Sequence, residues 1–213
     1  MRPAAVLWDM DGTLVDSEPL HEEAMDEALS SLGLAPPPDF HLRTLGLAAP
    51  AVFALVRDEV GMPLSFEDWS LRVHLHYLNK AGGLRPRPGA IEIFRALEKR
   101  GVPQAIVSNS DRMVVDANLR ATALAAPGLR SVSRNDVRLG KPDPEPYLRA
   151  AYLLGVEPAR CAVVEDSRTG AASGLAAGML TFFWAQIALD PPAGARTVAT
   201  AEALSSALLE GAA

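Results

Sequence analysis

Two aspartates one residue apart, Asp9 and Asp11, follow the apolar run AAVLW, and Gly12 and Thr13 come directly after them. In such a pair, one carboxylate can attack an electrophile while its neighbour donates and accepts the proton that the reaction moves. Taken alone, the pair fits a solvated turn between a strand and a helix equally well. The rest of the chain therefore has to decide between chemistry and a simple turn.

Other polar side chains stand where an apolar run ends or a helical pattern begins. Ser108 and Asn109 end the run PQAIVSN, Lys141 lies in GKPDPEPY, and Glu165 and Asp166 end the run CAVVED. Each of these has an ordinary alternative as a helix cap or a surface charge. Ligands bind outside the carboxyl ends of parallel strands, so a parallel sheet would bring all of these groups to one edge.

Such an edge would hold several acids with one lysine, and the acids would repel each other without a cation. Carboxylate oxygens are the hard ligands that Mg²⁺ prefers. A metal, a lysine and the amides of helix N-termini together make a site for a transferring phosphoryl group. The sequence therefore predicts a magnesium-dependent reaction on a phosphorylated small molecule, with a carboxylate as the attacking group.

The pattern of apolar runs predicts an α/β fold, a doubly wound, Rossmann-like parallel sheet. Runs at 4–8, 103–108, 161–165 and 180–184 are apolar on both faces, and helical patterns separate the later ones. These helical patterns lie at 90–101, 145–155 and 201–209.

The segment 17–87 has helical patterns without a convincing strand, so it is predicted to be an inserted helical cap. The core domain is then predicted at 1–16 and 88–213. Arg85 and Arg87 flank the prolines of the returning linker and are expected to stay solvated.

Composition excludes several classes of protein. The net charge of −6 argues against nucleic acid or an anionic membrane surface as a partner. The single cysteine, Cys161, gives no disulfide framework and is expected to be buried, which suits a cytoplasmic protein. The uncharged stretch 169–189 is interrupted by glycines, so it is read as a buried helix followed by a buried strand.

The four motifs together resemble those of the haloacid dehalogenase superfamily, in its branch with a small helical cap like that of β-phosphoglucomutase. DMDGTLVDS is similar to the first motif, SNS to the second, the lysine of GKPDPEPY to the third, and VVEDSRTGAASGLAAGM to the fourth. The resemblance covers essentially the whole chain. It implies a Rossmann-like core with an inserted cap, Mg²⁺ as cofactor, and hydrolysis or transfer of a phosphoryl group.

The resemblance also implies a role for each motif residue. Asp9 would be the nucleophile and a metal ligand, and Asp11 the general acid and base that also binds Mg²⁺ through its backbone carbonyl. The further implied assignments are phosphate binding by Ser108, Asn109 and Lys141, direct metal binding by Asp166, and metal binding by Glu165 directly or through water.

The cap must decide between a phosphatase and a sugar-phosphate mutase. The mutase grips the distal phosphate of its substrate with a cap arginine, and in the similar segment LGLAAPA at 45–51 the corresponding residue here is Ala49. His21, Glu18 and Arg43 are the candidate cap contacts to substrate, and Arg43 is the possible substitute for the missing arginine.

The sequence thus predicts a magnesium-dependent phosphatase that acts on a small phosphorylated metabolite, such as a sugar phosphate, through an aspartyl-phosphate. A phosphosugar mutase remains an alternative. A non-catalytic protein that binds a phosphorylated ligand or a protein partner is the alternative from another class.

Overall fold

A computed structural model describes residues 2–44, 47 and 49–210 of the chain. The strands, in chain order, are β1 (Ala5–Trp8), β2 (Val15–Asp16), β3 (Arg85–Pro86), β4 (Gln104–Val107), β5 (Arg130–Val132), β6 (Cys161–Glu165), β7 (Leu180–Phe183) and β8 (Arg196–Thr197). The α-helices are α1 (Glu18–Ser30), α2 (Phe40–Thr44), α3 (Ala49–Leu55), α4 (Phe66–Lys80), α5 (Ala90–Lys99), α6 (Arg112–Ala121), α7 (Glu145–Leu154), α8 (Arg168–Ala176) and α9 (Ala201–Leu209). Within these ranges, no helix combines the length and the apolar character needed to cross a bilayer.

The centre of the molecule is a parallel sheet of six strands in the order β5-β4-β1-β6-β7-β8. This confirms the predicted α/β, doubly wound fold. Strand β1 lies between β4 and β6, so the strand order reverses beside it. Where the strand order of a parallel sheet reverses, a crevice forms outside the carboxyl ends of the strands. The two aspartates after β1 therefore emerge at the place where this fold binds ligands.

Strand β1 is buried on both faces because helices cover both sides of the sheet. Ala5 and Leu7 pack in a cluster with apolar residues of α7, whereas Val6 and Trp8 point to the opposite cluster with α5, α6 and α9. Side chains alternate between the faces of a strand, which explains why the run AAVLW is apolar at every position. Cys161 belongs to the first cluster and is buried, as the sequence predicts.

The segment 17–87 contains α1 to α4, and a π-helical turn, Val56–Val60, continues from α3. It has an apolar cluster of its own, whose buried members are Met25, Leu29, Phe40, Val56, Met62 and Trp69. Of the segment 45–51, Leu45, Gly46 and Ala48 lie outside the described residues. The exact boundaries between core and cap stay a prediction.

Four short strands, β2, β3, β5 and β8, escaped the sequence analysis, and two expectations about the linker were wrong. The linker does contain a strand, since β3 pairs antiparallel with β2 at the point where the chain leaves and re-enters the core. Strands β5 and β8 have three and two residues, too few for a period to be recognised. Arg87, expected in solvent, is only 8% exposed.

Candidate active site

Lys141 joins two carboxylates at the centre of the site. Its ammonium Nζ lies 2.5 Å from Asp9 Oδ1 and 2.6 Å from Glu165 Oε1, and it also donates to the carbonyl of Val107 at 2.8 Å. The three charged side chains are almost completely buried. Burial alone would lower the pKa of Lys141, but the charges of Asp9 and Glu165 outweigh it and hold the pKa above its ordinary value. The lysine therefore stays protonated.

Both oxygens of the Glu165 carboxylate already accept hydrogen bonds. Oε1 accepts from Tyr147 at 2.7 Å in addition to Lys141, and Oε2 accepts from the hydroxyl of Ser167 at 3.1 Å. Gly170 explains how helix α8 comes so close, since a Cβ at this position would lie 1.8 Å from Glu165 Oε1. The Glu165 side chain is thus fixed in place beside Lys141.

Asp9, Glu165 and Asp166 form a cluster of acids in which one oxygen of each lies within 4.8 Å of the others. Among the described residues, Asp166 accepts a hydrogen bond only from the hydroxyl of Thr13, at 3.1 Å from its Oδ1. Burial, with the charges of Glu165 and Glu18, raises the pKa of Asp166 to about 8. Lys141 balances the charge of these three acids only in part. Their crowded, hard oxygens therefore fit a divalent cation such as Mg²⁺.

The Asp11 carboxylate turns towards a different set of partners, all of them hydrogen-bond donors. Its Oδ2 accepts from the hydroxyls of Ser108 and Ser110 at 3.0 and 2.9 Å. Its Oδ1 accepts from Ser17 at 2.8 Å and from Asn118 at 3.0 Å, and His21 Nε2 lies 3.3 Å away.

These donors decide the charge of Asp11. Burial would raise the pKa of Asp11, but the hydrogen bond and charge of His21, with the hydroxyls of Ser17 and Ser110, hold it below its ordinary value. At Asp9 the balance is opposite, because burial and the charge of Glu165 raise its pKa although Lys141 opposes them. The two aspartates of the first motif therefore sit in electrostatically different surroundings.

Asn109 holds the main chain of Lys141. Its side-chain Oδ1 accepts from the backbone N–H of Lys141 at 2.8 Å, and its Nδ2 donates to the carbonyl of the same residue at 3.1 Å. The amide is consequently engaged on both sides, so it fixes the lysine loop. Phosphate binding by the Asn109 side chain stays a prediction.

Arg87 is a site residue that the sequence analysis placed in solvent. Its guanidinium stacks on Trp184 at 3.6 Å from the ring centroid and donates to the carbonyl of Gly12 at 2.9 Å. Gln186 donates to the same carbonyl at 2.9 Å. Together they fix the peptide between Gly12 and Thr13, one residue beyond Asp11. The only sequence signal was an arginine held between two prolines, which also describes an exposed linker.

A cavity of about 1040 Å³ lies between the sheet edge and the cap. Asp9, Asp11, Ser108, Asn109, Lys141 and Asp166 line its floor. Among the cap candidates, His21 and Glu18 line the cavity. Arg43 is absent from the described lining and forms an exposed ion pair with both oxygens of Glu59.

The fold and this site define a hydrolase with a Rossmann-like core and a carboxylate–lysine centre. The family model described as haloacid dehalogenase-like hydrolase matches residues 3–178, so the chain belongs to the haloacid dehalogenase-like hydrolases. Family membership confirms the predicted resemblance and the predicted class of enzyme, a hydrolase.

Three similar proteins illustrate the range of this family. Hexitol phosphatase A of Escherichia coli K12 is 36% identical over 180 residues, which are 84% of this chain and 81% of that protein. A haloacid dehalogenase family hydrolase of Deinococcus radiodurans, solved with bound phosphate and sodium, is 31% identical with a TM-score of 0.75, over 98% of this chain and 96% of that one. A protein of Thermotoga maritima solved as a candidate β-phosphoglucomutase is 28% identical with a TM-score of 0.78, over 99% of both chains.

Proposed function

We propose that this protein is a magnesium-dependent phosphatase that hydrolyses a small phosphorylated metabolite, of the sugar or sugar-alcohol phosphate class, through an aspartyl-phosphate on Asp9. One observation carries the proposal: the ammonium of Lys141 lies 2.5 Å from Asp9 on the floor of a cavity that Asp11 also lines. A binding protein has no need of both a nucleophile and a proton carrier. The similarity to a hexitol phosphatase supports the substrate class.

In the proposed reaction, an oxygen of Asp9 attacks phosphorus, and the bond from phosphorus to the leaving oxygen breaks. Because the pKa of Asp11 is held low in the free protein, this carboxylate must first take up a proton, which the monoanion of the phosphate ester can bring. Asp11 then passes that proton to the leaving oxygen, and later takes one from the water that hydrolyses the aspartyl-phosphate. Lys141 stabilises the negative charge that the phosphoryl oxygens and Asp9 share. Ser108 and the residues that lead into α6, Asn109, Ser110 and Asp111, line the same cavity, and we assign the remaining phosphate contacts to this segment.

We assign direct metal contact to Asp9, Asp166 and the backbone carbonyl of Asp11. Bound Mg²⁺ would neutralise charge on the phosphoryl group as it is transferred. Both oxygens of Glu165 are occupied by Lys141, Tyr147 and Ser167, which favours contact through water for this residue. Glu165 then acts mainly by holding Lys141 in place.

The first prediction concerns the metal. Asp166→Ala should reduce turnover to less than about a tenth at saturating Mg²⁺ without unfolding the protein, because the change relieves crowded acids.

Since the pKa of metal-free Asp166 is raised to about 8, Mg²⁺ has to displace its proton at lower pH. The Mg²⁺ concentration for half-maximal wild-type activity should therefore rise about tenfold for each pH unit below 8.

Phosphate release at pH 6, 7 and 8 across a Mg²⁺ series, with an EDTA blank, checks this prediction. Asp58→Ala is the matched control, since Asp58 is an exposed aspartate that forms an ion pair with its neighbour Arg57. Full activity of Asp166→Ala, or a Mg²⁺ requirement that does not change with pH, would contradict the ligand assignment.

The cap favours hydrolysis over mutase chemistry. On the described cap residues, the cavity wall carries no lysine or arginine; it presents the acids Glu18 and Glu22, the histidines His21, His41 and His74, and hydroxyls and apolar side chains. Lys80 is turned away and forms ion pairs with Glu23 and Glu27. A bisphosphate intermediate would therefore find no lysine or arginine on the described cap wall to hold its second phosphate while it reorients in the cavity. Neutral hydroxyl-rich leaving groups suit such a wall better.

The second prediction tests this choice. With β-glucose 1-phosphate and a trace of the 1,6-bisphosphate, the enzyme should release inorganic phosphate and form little glucose 6-phosphate. A parallel screen of hexitol and hexose phosphates for released phosphate should identify the preferred substrate. Rapid formation of glucose 6-phosphate without phosphate release would establish the mutase instead, and inactivity on every ester, p-nitrophenyl phosphate included, would favour a binding protein.

A further inference from the structure

Asn118 is a buried amide in the middle of helix α6 that the proposed reaction does not use. It is fully buried, and its Nδ2 donates to Asp11 Oδ1 at 3.0 Å. Its own Oδ1 accepts from the hydroxyl of Tyr77 at 2.9 Å. Buried amides weaken a core unless their hydrogen bonds are satisfied, and here both partners are supplied from outside α6.

Tyr77 lies on the cap helix α4 and is almost completely buried. Its ring packs against that of His21, with the centroids 4.5 Å apart, and His21 Nε2 lies 3.3 Å from the same Asp11 oxygen that Asn118 contacts. The cap therefore reaches the Asp11 carboxylate by two routes. One is direct, through His21, and the other passes through Asn118.

The second route has a fixed direction. Burial raises the pKa of Tyr77, so the phenol keeps its proton and donates it. The carbonyl side of the Asn118 amide must then face Tyr77, which leaves its N–H side for the Asp11 carboxylate. The Asp11 carboxylate, which can only accept, requires the same orientation, so the phenol and the carboxylate hold the amide from both ends.

We propose that Asn118 and Tyr77 are positioning residues for Asp11. Through these two residues, the position of cap helix α4 sets the orientation of the Asp11 carboxylate, which moves the proton. The proposal rests on the proposed function, because it assumes that Asp11 protonates the leaving oxygen. Neither residue needs to touch the transferred phosphoryl group. Their loss should damage proton transfer and leave the attack by Asp9 and the binding of phosphate unchanged.

Two aryl esters of nearly equal shape separate these steps. Phenolate is a more basic leaving group than p-nitrophenolate, so phenyl phosphate depends more on proton donation. Tyr77→Phe keeps the ring against His21 and removes only the hydroxyl. It should slow the first turnover of phenyl phosphate about three- to tenfold, as loss of one hydrogen bond predicts, while the first turnover of p-nitrophenyl phosphate and both KM values stay as in the wild type. Tyr152→Phe, at an exposed tyrosine, is the matched control.

A double-mutant cycle tests whether the two residues act in series. Asn118→Leu should slow phenyl phosphate more strongly, about 10- to 100-fold, because it removes a hydrogen bond to a charged group. Adding Tyr77→Phe to this variant should cause no further loss, and the apolar pair should fold at least as well as Asn118→Leu in a thermal melt.

Equal losses on both esters, or additive losses in the double variant, would overturn the proposal and leave Tyr77 and Asn118 with a structural role. Asp11→Asn, measured alongside, separates this failure from that of the proposed function. If Asp11→Asn also spares phenyl phosphate, or if the wild type hydrolyses neither ester, the proton-carrier assignment itself is wrong.

Discussion

Asp9→Asn should be inactive towards every phosphomonoester, with turnover at the uncatalysed background. An amide cannot attack phosphorus, so no covalent phospho-enzyme can form and neither half of the proposed reaction can start. The fold should survive, because asparagine has nearly the same shape and its carbonyl oxygen can still accept the hydrogen bond from Lys141. The loss should therefore appear in kcat with every leaving group, good or poor, while phosphate still competes for the cavity.

Intact-mass detection after rapid quenching checks this result directly. Wild-type enzyme quenched within its first turnover of p-nitrophenyl phosphate with Mg²⁺ should contain a small fraction with one added phosphoryl group, and Asp9→Asn should contain none. Asp58→Asn, a change of the same type at an exposed position, should behave as the wild type. A phosphorylated Asp9→Asn enzyme would show that another residue is the nucleophile.

The core of the fold could be read from the sequence because its strands are buried on both faces. The runs around β1, β4, β6 and β7 are apolar at nearly every position, and this pattern is independent of what packs on them. Strand β5 reads RSV, and its first residue is exposed, so it resembles a loop. It becomes a strand only because β4 offers an edge to pair with, which is a tertiary effect.

The floor of the site could be predicted for a related reason. Once the strands are parallel, whatever follows each one must meet at the same edge, so Asp9, Ser108 and Asp166 were brought together by topology alone. The residues that hold them were not predictable. Arg87 and Tyr147 take their roles from partners far along the chain, Trp184 and Glu165. No local pattern distinguishes a stacked or bridging side chain from an exposed one.

Asn118 shows the same limit within a helix. Asn118 lies on the buried face of α6, where the amphipathic pattern predicts an apolar residue. The sequence alone does not indicate why one polar residue stands there, because its partners come from other parts of the chain. The structure supplies those neighbours from the cap and from the first motif. Asp11 consequently has a more elaborate environment than its motif suggests, with five donors on two oxygens.

Asp11→Asn should separate the two halves of the reaction. An alkyl phosphate leaves as a strongly basic alkoxide that needs a proton in the transition state, so its turnover should fall by roughly 10²- to 10⁴-fold. p-Nitrophenolate is a stable anion that can leave unprotonated, so Asp9 should still be phosphorylated from that ester. The change should be tolerated locally, because the hydroxyls of Ser108 and Ser110 can accept from an amide as well as donate to a carboxylate.

Hydrolysis of the aspartyl-phosphate then lacks its base, so the intermediate should accumulate in Asp11→Asn. Stopped-flow measurement should record a burst of nitrophenol close to one equivalent per enzyme, followed by a slow steady state, and intact mass should show one added phosphoryl group. In the wild type, the same ester should give steady turnover with little accumulated intermediate. Because the pKa of Asp9 is raised and that of Asp11 lowered, the resting charges alone do not reveal which aspartate attacks. A burst from Asp9→Asn with none from Asp11→Asn would reverse the two roles.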